Sequence, residues 1–244
     1  MVESVPDRGY RAATRDVVDT ALGRNERPDP VRPVSGGPAG NAALTAWLGL
    51  VLLVLFFLEG LTVLDVRGLI TWHVALGALL VPPVLAKTAT TGWRVVRYYA
   101  RQRDYQEAGP PPLLLRLLGP LVVLTSLVLL GSGVVLVLLG EESSRLALVD
   151  LAGVRVDWVG LHQGVFFVWF AVMTVHVLAR VLPAFTLAVR RHGVPGGVLR
   201  GAVVTVSLVL AVGTAVWLVG AEGSWRHRGF DDRGDVHVGT ARAR

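Results

Sequence analysis

The chain has 244 residues, of which 52% are hydrophobic, with a mean hydropathy of +0.55 and a formal charge of +6. This composition, with several uninterrupted apolar runs, is typical of integral membrane proteins and not of soluble domains. Cysteine is absent, which excludes disulfides, cysteine-bound iron–sulfur clusters and a covalently attached c-type haem. The basic residues flank the apolar runs, so nucleic acid is not an expected partner.

Residues 1–41 form a polar leader rich in proline, glycine and charged residues. Such a composition predicts a disordered segment, which we expect on the cytoplasmic side. A secretory signal would have an apolar run close to its start, followed by a small-residue cleavage site. The leader has neither feature, so the first membrane span is expected to be retained.

Five later stretches are apolar and long enough to cross a hydrocarbon layer, which takes about 20 residues in a helix. The predicted spans are residues 43–64, 69–90, 117–139, 159–178 and 198–219. The sequence therefore predicts an all-α integral membrane protein. Residues 42–190 are expected to form an up-down-up-down four-helix bundle, residues 191–220 a loop and a fifth span packed outside it, and residues 221–244 a polar tail.

The distribution of arginine residues predicts the orientation of these spans in the membrane. Most of them follow spans two and four, whereas the opposite loops contain only Arg67, Arg145 and Arg155. The positive-inside rule then predicts a multi-pass protein of the bacterial cytoplasmic membrane, with a cytoplasmic N-terminus and an outer C-terminus. The five arginines of the C-terminal tail argue against this orientation.

Lys87, the only lysine, follows His73 by 14 positions (87 − 73) in span two, and His176 follows His162 by 14 (176 − 162) in span four. On a helix, this spacing puts both members of a pair on one face, ~40° apart in azimuth and ~21 Å apart in height. Spans two and four are diagonal in the predicted bundle. His73 is therefore expected opposite His162, and Lys87 opposite His176. Two nitrogen ligands at each depth favour one or two haems b.

Each of these positions has a second interpretation. A buried histidine either binds a cofactor or bonds a polar group on a neighbouring helix. Lys87 either binds iron as a free amine, snorkels to the cytoplasmic interface or pairs with a haem propionate. Glu59, in the same layer as His73, either bonds a ligand's second nitrogen, accepts protons or is an interfacial carboxylate at a helix end.

Small residues surround the outer pair and favour the close approach of a flat ring, although helix packing in lipid selects them too. Arginines of the inner region are predicted to meet haem propionates or anionic lipid headgroups. The small residues are Gly77, Gly164 and Gly131-Ser132-Gly133, and the arginines are Arg94, Arg97 and Arg180. Three further histidines, His192, His227 and His237, are predicted to be solvated.

On the basis of His73 in span two and His162 and His176 in span four, the chain resembles the bacterial membrane cytochromes b. That group includes cytochrome b561-type proteins and the haem subunits of nickel–iron hydrogenases. The resemblance covers roughly residues 43–189 and implies bis-imidazole haem b, electron passage across the membrane and exchange with quinone. The family's usual histidine in the first span is missing here, which leaves either Lys87 in its place or a single haem.

A second resemblance, to a set of uncharacterised actinobacterial membrane proteins close to that group, covers the segment after span two. Its residues are Lys87, Trp93-Arg94, Arg97-Tyr98-Tyr99 and Gly109-Pro110-Pro111.

The predicted function is that of an electron-transfer subunit acting between a quinone or other lipid-soluble donor and a redox partner protein. The sequence contains no nicotinamide or flavin fold, Walker loop or serine triad that would make it a self-sufficient enzyme. The alternative is a haem-free membrane anchor or assembly protein whose histidines tie helices together. A transporter is less favoured, because the sequence shows no inverted repeat.

Overall fold

The computed structural model describes residues 6–24, 29–151, 154–190 and 194–226. These residues form eight helices, a 3-10 turn and one antiparallel hairpin. The helices are α1 (Pro6–Ala21), α2 (Gly37–Thr62), α3 (Ile70–Tyr99), α4 (Arg103–Ala108), α5 (Leu113–Ser144), α6 (Trp158–Arg190), α7 (Gly197–Ala221) and α8 (Gly223–Arg226); the turn is Val63–Asp65, and the strands are β1 (Val149–Leu151) and β2 (Val154–Val156). His192, His227, His237 and most of the polar tail lie outside the described residues.

Five of the helices, α2, α3, α5, α6 and α7, are long and apolar enough to cross a membrane. The prediction of an all-α, multi-pass protein of the lipid bilayer is therefore confirmed. The helices outlast the predicted spans; α3, for example, continues nine residues beyond position 90. Hydropathy locates the part of a helix that meets lipid, whereas helical hydrogen bonding continues into the polar interface.

Packing among these helices gives the predicted up-down-up-down order. Helix α2 packs against α3 and α6, and α5 packs against the same two, so α3 and α6 are diagonal. Helix α7 lies outside this bundle, mainly along α3. There Ala215 and Leu218 of α7 join Val74 and Ala78 of α3 in one buried apolar cluster.

The leader differs from its prediction, because it contains helix α1, which packs against α6. Thr20 of α1 is buried, and a Cβ on Gly23 would lie 3.5 Å from Cγ of Pro183. Farther along, Asp29 accepts two hydrogen bonds from Arg94 of α3. Charge composition alone indicates disorder, but these contacts with the bundle supply the burial that an isolated polar segment lacks.

The two ends of the bundle differ in charge. At the end where α2 and α7 begin and α3 and α6 end, arginines are abundant, and we call this the basic end. At the opposite end, the acidic end, carboxylates predominate in the described chain. The basic end includes Arg32, Arg94, Arg97, Arg101, Arg103, Arg116 and Arg200; the acidic end includes Glu59, Asp65, Glu141, Glu142, Asp150, Asp157 and Glu222.

Candidate functional site

His73 and His162 face each other near the acidic end of the bundle. His73 lies in the first turn of α3, and His162 lies in the second turn of α6. The centroids of the two imidazole rings are 6.4 Å apart, and the ring planes are perpendicular. The structure thus brings together, from diagonal helices, the two histidines whose common depth the sequence predicted.

The Nδ1 atom of His73 is held by the end of α2. It lies 2.8 Å from Oε1 of Glu59 and 2.9 Å from the hydroxyl oxygen of Thr62. The Thr62 hydroxyl donates in turn to the carbonyl oxygen of Glu59, at 2.6 Å. An ionised carboxylate can only accept hydrogen bonds, so the imidazole proton is assigned to Nδ1 and the lone pair to Nε2. The side chains of His73 and Glu59 are only 23% and 15% exposed.

His162 has an equivalent partner on α5. Its Nδ1 atom lies 2.9 Å from the hydroxyl oxygen of Ser132, which itself donates to the carbonyl oxygen of Leu129 at 2.9 Å. The hydroxyl proton is thereby used, so Ser132 accepts from Nδ1 and His162 also keeps its lone pair on Nε2. A Cβ on Gly133 would lie 3.2 Å from Cε1 of His162, so the absence of a side chain at position 133 leaves room for the imidazole ring.

The other small residues predicted around the pair have different surroundings. A Cβ on Gly77 would meet the carboxylate of Glu59 at 3.6 Å, whereas one on Gly131 or Gly164 would meet nothing within 4 Å. Gly164 borders an apolar surface groove between α5 and α6. Only Gly133 among these glycines is placed against a histidine ring. Glu59 lies near the end of α2, and its carboxylate contacts Nδ1 of His73.

The inner pair forms a different arrangement. Nζ of Lys87 donates to the carbonyl oxygen of Thr45 on α2 at 2.8 Å, and it occupies the space where a Cβ on Gly49 would lie. Nδ1 of His176 is buried and has no hydrogen-bond partner among the described residues. Arg180 follows His176 by four positions (180 − 176) and so lies about one turn farther along α6.

Arg94 and Arg97, two predicted partners of propionates, lie still closer to the basic end. Arg94 makes a bidentate pair with Asp29, at 2.9 and 3.3 Å. The guanidinium of Arg97 lies 4.1 Å from the centroid of the Trp93 ring. Because 21 residues of α3 separate His73 from Arg94 (94 − 73), about 30 Å of helix lies between them. The structure does not bring these arginines to the facing histidines.

Sequence reasoning missed two kinds of residue at the acidic end. The first are the hydroxyls of Thr62 and Ser132, although the Gly-Ser-Gly run and the spacing of three after Glu59 offered a signal for both. The second is Glu222, which is completely buried and accepts a hydrogen bond from Thr71 at 2.6 Å. Glu222 follows the fifth span, and nothing in the local sequence indicates that its side chain turns back to α3.

The facing histidines fit a haem iron by their separation and their tautomers. With iron–nitrogen bonds of ~2 Å, two axial imidazoles have ring centres ~6 Å apart, close to the observed 6.4 Å. Both Nδ1 atoms are hydrogen-bonded, which is the usual second contact of a metal-binding histidine. Within the described residues, no group of three or more His, Cys, Asp or Glu side chains could hold a metal ion, and a haem needs only two.

The described part of the chain is thus a multi-pass α-helical membrane protein in which a histidine pair faces across the bundle. Comparison of the chain with protein-family models, curated proteins and solved structures finds no match in any of the three.

Proposed function

We propose that this protein is a b-type cytochrome of the bacterial cytoplasmic membrane. It passes electrons between a quinone, or another lipid-soluble donor, and a redox partner protein. The observation that supports this function is the facing of His73 and His162, 6.4 Å apart, each with Nδ1 hydrogen-bonded. His73 of α3 and His162 of α6 would hold one haem b between the two helices.

Each residue of the site then has a defined task. When bound, the haem supplies a one-electron iron couple. His73 and His162 hold it from two diagonal helices, while Glu59 and Ser132 fix the orientation and tautomer of the two rings. The negative charge of Glu59 also favours the oxidised state, which has one more positive charge.

The orientation of the protein in the membrane determines the side from which its partners reach the haem. By the positive-inside rule, the basic end faces the cytoplasm, with the N-terminus inside and the C-terminus outside. The histidine pair is at the acidic end, so the haem lies near the outer face. A quinone reaches it laterally from the bilayer, and a partner protein reaches it from outside. Since the sequence contains no nicotinamide or flavin fold, the protein acts as one component of a larger electron-transfer system.

A second candidate rests on the same contacts. The bonds of His73 to α2 and of His162 to α5 also tie neighbouring helices together, as polar side chains do in many membrane bundles. In that case the protein is a haem-free anchor or assembly factor, and its histidines contribute to stability alone.

Measurement of bound haem distinguishes the cytochrome from the haem-free anchor or assembly factor. The protein, purified in detergent from haem-sufficient cells, should show a reduced-minus-oxidised b-type spectrum and one haem per chain by pyridine haemochrome assay. His73→Ala and His162→Ala should each lose most of the haem. His176→Ala is the matched control, since it removes the other imidazole of α6 and should retain the pigment. Size-exclusion profiles check that all variants are folded. A colourless parent protein, or alanine variants with unchanged haem, would exclude the cytochrome.

A further inference from the structure

Three large apolar side chains near the end of helix α1 are exposed, although the leader around them is polar. They are Val17, Val18 and Leu22, at 45%, 46% and 44% exposure, and we call them the leader patch. Thr20, which lies among them in the sequence, is buried. Val18 and Leu22 are each two residues from Thr20 and so lie about 160° from it around the helix. Helix α1 therefore turns one side to the protein and an apolar side away from it.

The contact of α1 with α6 gives the depth of the leader patch. Helix α1 packs against α6, and a Cβ on Gly23 would lie 3.5 Å from Cγ of Pro183. The membrane-crossing part of α6 is Trp158–Val189, and Pro183 lies nine to ten residues, or about 14 Å, from its middle. Half the thickness of a hydrocarbon layer is about 15 Å. The end of α1 therefore lies at the boundary between the acyl chains and the headgroups.

Two other helices have residues typical of this boundary at the same depth. On α6, Leu182 and Phe185 are exposed on either side of Pro183 in the sequence, as expected of side chains that face lipid. On α3, Trp93 lies eight to nine residues, or about 13 Å, from the middle of the helix, and the guanidinium of Arg97 is 4.1 Å from its ring centroid. Exposed tryptophan and arginine are common at the headgroup level. The depth assigned to the leader patch thus agrees with the residues of α3 and α6.

We propose that α1 is an interfacial membrane helix, whose leader patch inserts between the acyl chains of the leaflet at the basic end. A helix in this position buries its apolar side about 5–10 Å into the headgroup boundary and keeps its polar side in water. Residues 6–24 contain four arginines and three aspartates, so attraction to anionic headgroups contributes little. Contact with acyl chains is the main attraction, whatever the charge of the lipid. This inference does not depend on haem.

Spin labels in proteoliposomes test this placement, because oxygen concentrates among acyl chains and a nickel chelate stays in water. The chain contains no cysteine, so Val18→Cys and Val34→Cys each provide one labelled position. Val34 is the matched control, since it is an exposed valine of the same leader, at 86%. It precedes α2, which begins at Gly37, about 21 Å from the middle of its own span. The ratio of oxygen to chelate accessibility should be at least ~3-fold higher at position 18 than at position 34.

The same difference is expected in phosphatidylcholine vesicles and in a 1:1 mixture with phosphatidylglycerol. Equal ratios at positions 18 and 34 would overturn the inference, because the patch would then lie in water. Low accessibility of position 18 to both reagents would also overturn it, since protein would then cover the valine. A difference seen only with phosphatidylglycerol would reject contact with acyl chains as the main attraction. Size-exclusion profiles identify a variant that fails to fold, and Leu22→Cys then replaces Val18→Cys.

Discussion

On both α3 and α6, 14 residues separate the position near the acidic end from the position near the basic end. The two ends nevertheless differ in their chemistry. At the acidic end, His73 and His162 face each other with both Nδ1 atoms bonded. At the basic end, Lys87 reaches away to the backbone of α2, and Nδ1 of His176 has no partner among the described residues. The spacing of residues along α3 and α6 sets their depth in the bundle. The residues that α2 and α5 contribute at each depth determine which ligand can bind there.

At the outer level, the flanking helices supply the acceptors that prepare an imidazole to ligate: a carboxylate and a hydroxyl from α2, and a hydroxyl from α5. At the inner level, α2 supplies a backbone carbonyl, and α5 has no buried side chain. The comparison therefore favours one haem, at the level of His73 and His162, under the proposed function.

The largest effect is expected from closing the space beside His162. In Gly133→Leu, even the first added carbon would lie 3.2 Å from Cε1 of His162, so the ring must move off its ligating position. We expect haem per protein to fall by more than half. Gly131→Leu is the control, because a Cβ there has no neighbour within 4 Å. Equal haem in the two variants would contradict the proposed placement of the ligand.

A smaller loss is expected when the hydroxyl that orients His162 is removed. Ser132→Ala leaves Nδ1 without its acceptor, and loss of such a second contact typically weakens metal binding ~10-fold or more. Haem titration of the apoprotein measures this affinity. Ser126→Ala removes another buried hydroxyl of α5, the acceptor of the Trp169 indole, and should leave haem affinity within about twofold. A larger loss in the Ser126 variant would mean that helix packing alone controls binding.

Removal of the carboxylate next to His73 should change the midpoint potential of the proposed haem more than the amount of haem bound. Glu59→Gln keeps the shape and removes a negative charge 2.8 Å from Nδ1 of His73, so the oxidised state loses stabilisation. We expect the midpoint potential in redox titration to rise by ~60 mV, the equivalent of a tenfold change in the equilibrium of a one-electron couple. Glu141→Gln, at the same end but paired with Arg145, should shift it little. A fall in potential would reverse the assigned role.

The smallest effect concerns the leader at the basic end. Arg32 hydrogen-bonds to Asp104, which lowers the pKa of that carboxyl below its usual 3.8. The pair therefore stabilises the folded state fully above pH ~4, and this contribution disappears as the pH falls through the lowered pKa. Thermal unfolding of Arg32→Gln should differ slightly from the wild type at pH 6, and this difference should shrink as the pH falls below ~4. A difference that grows in acid would exclude this ion pair as its origin.

Much of this arrangement follows from the sequence, because it depends on regular periodicity. Apolar run lengths gave the five spans, and the 14-residue spacing, combined with antiparallel order, gave the approach of His73 to His162. The partners of these histidines depend on which faces of α2 and α5 turn inward, which run length does not specify. Helix α1 and the β1–β2 hairpin were missed for a similar reason, since both depend on tertiary contacts or pairings between short polar segments.

Glu222 gives the fifth helix a wider importance. Its carboxylate accepts from Thr71, two residues before His73, and so fastens the exit of α7 to the first turn of α3. Proteolytic trimming that removed this glutamate would release that turn and disturb the imidazole it positions. The outermost helix is thus tied to the turn that contains His73, and a protein shortened to end before position 222 is expected to lose the proposed haem even with His73 and His162 intact.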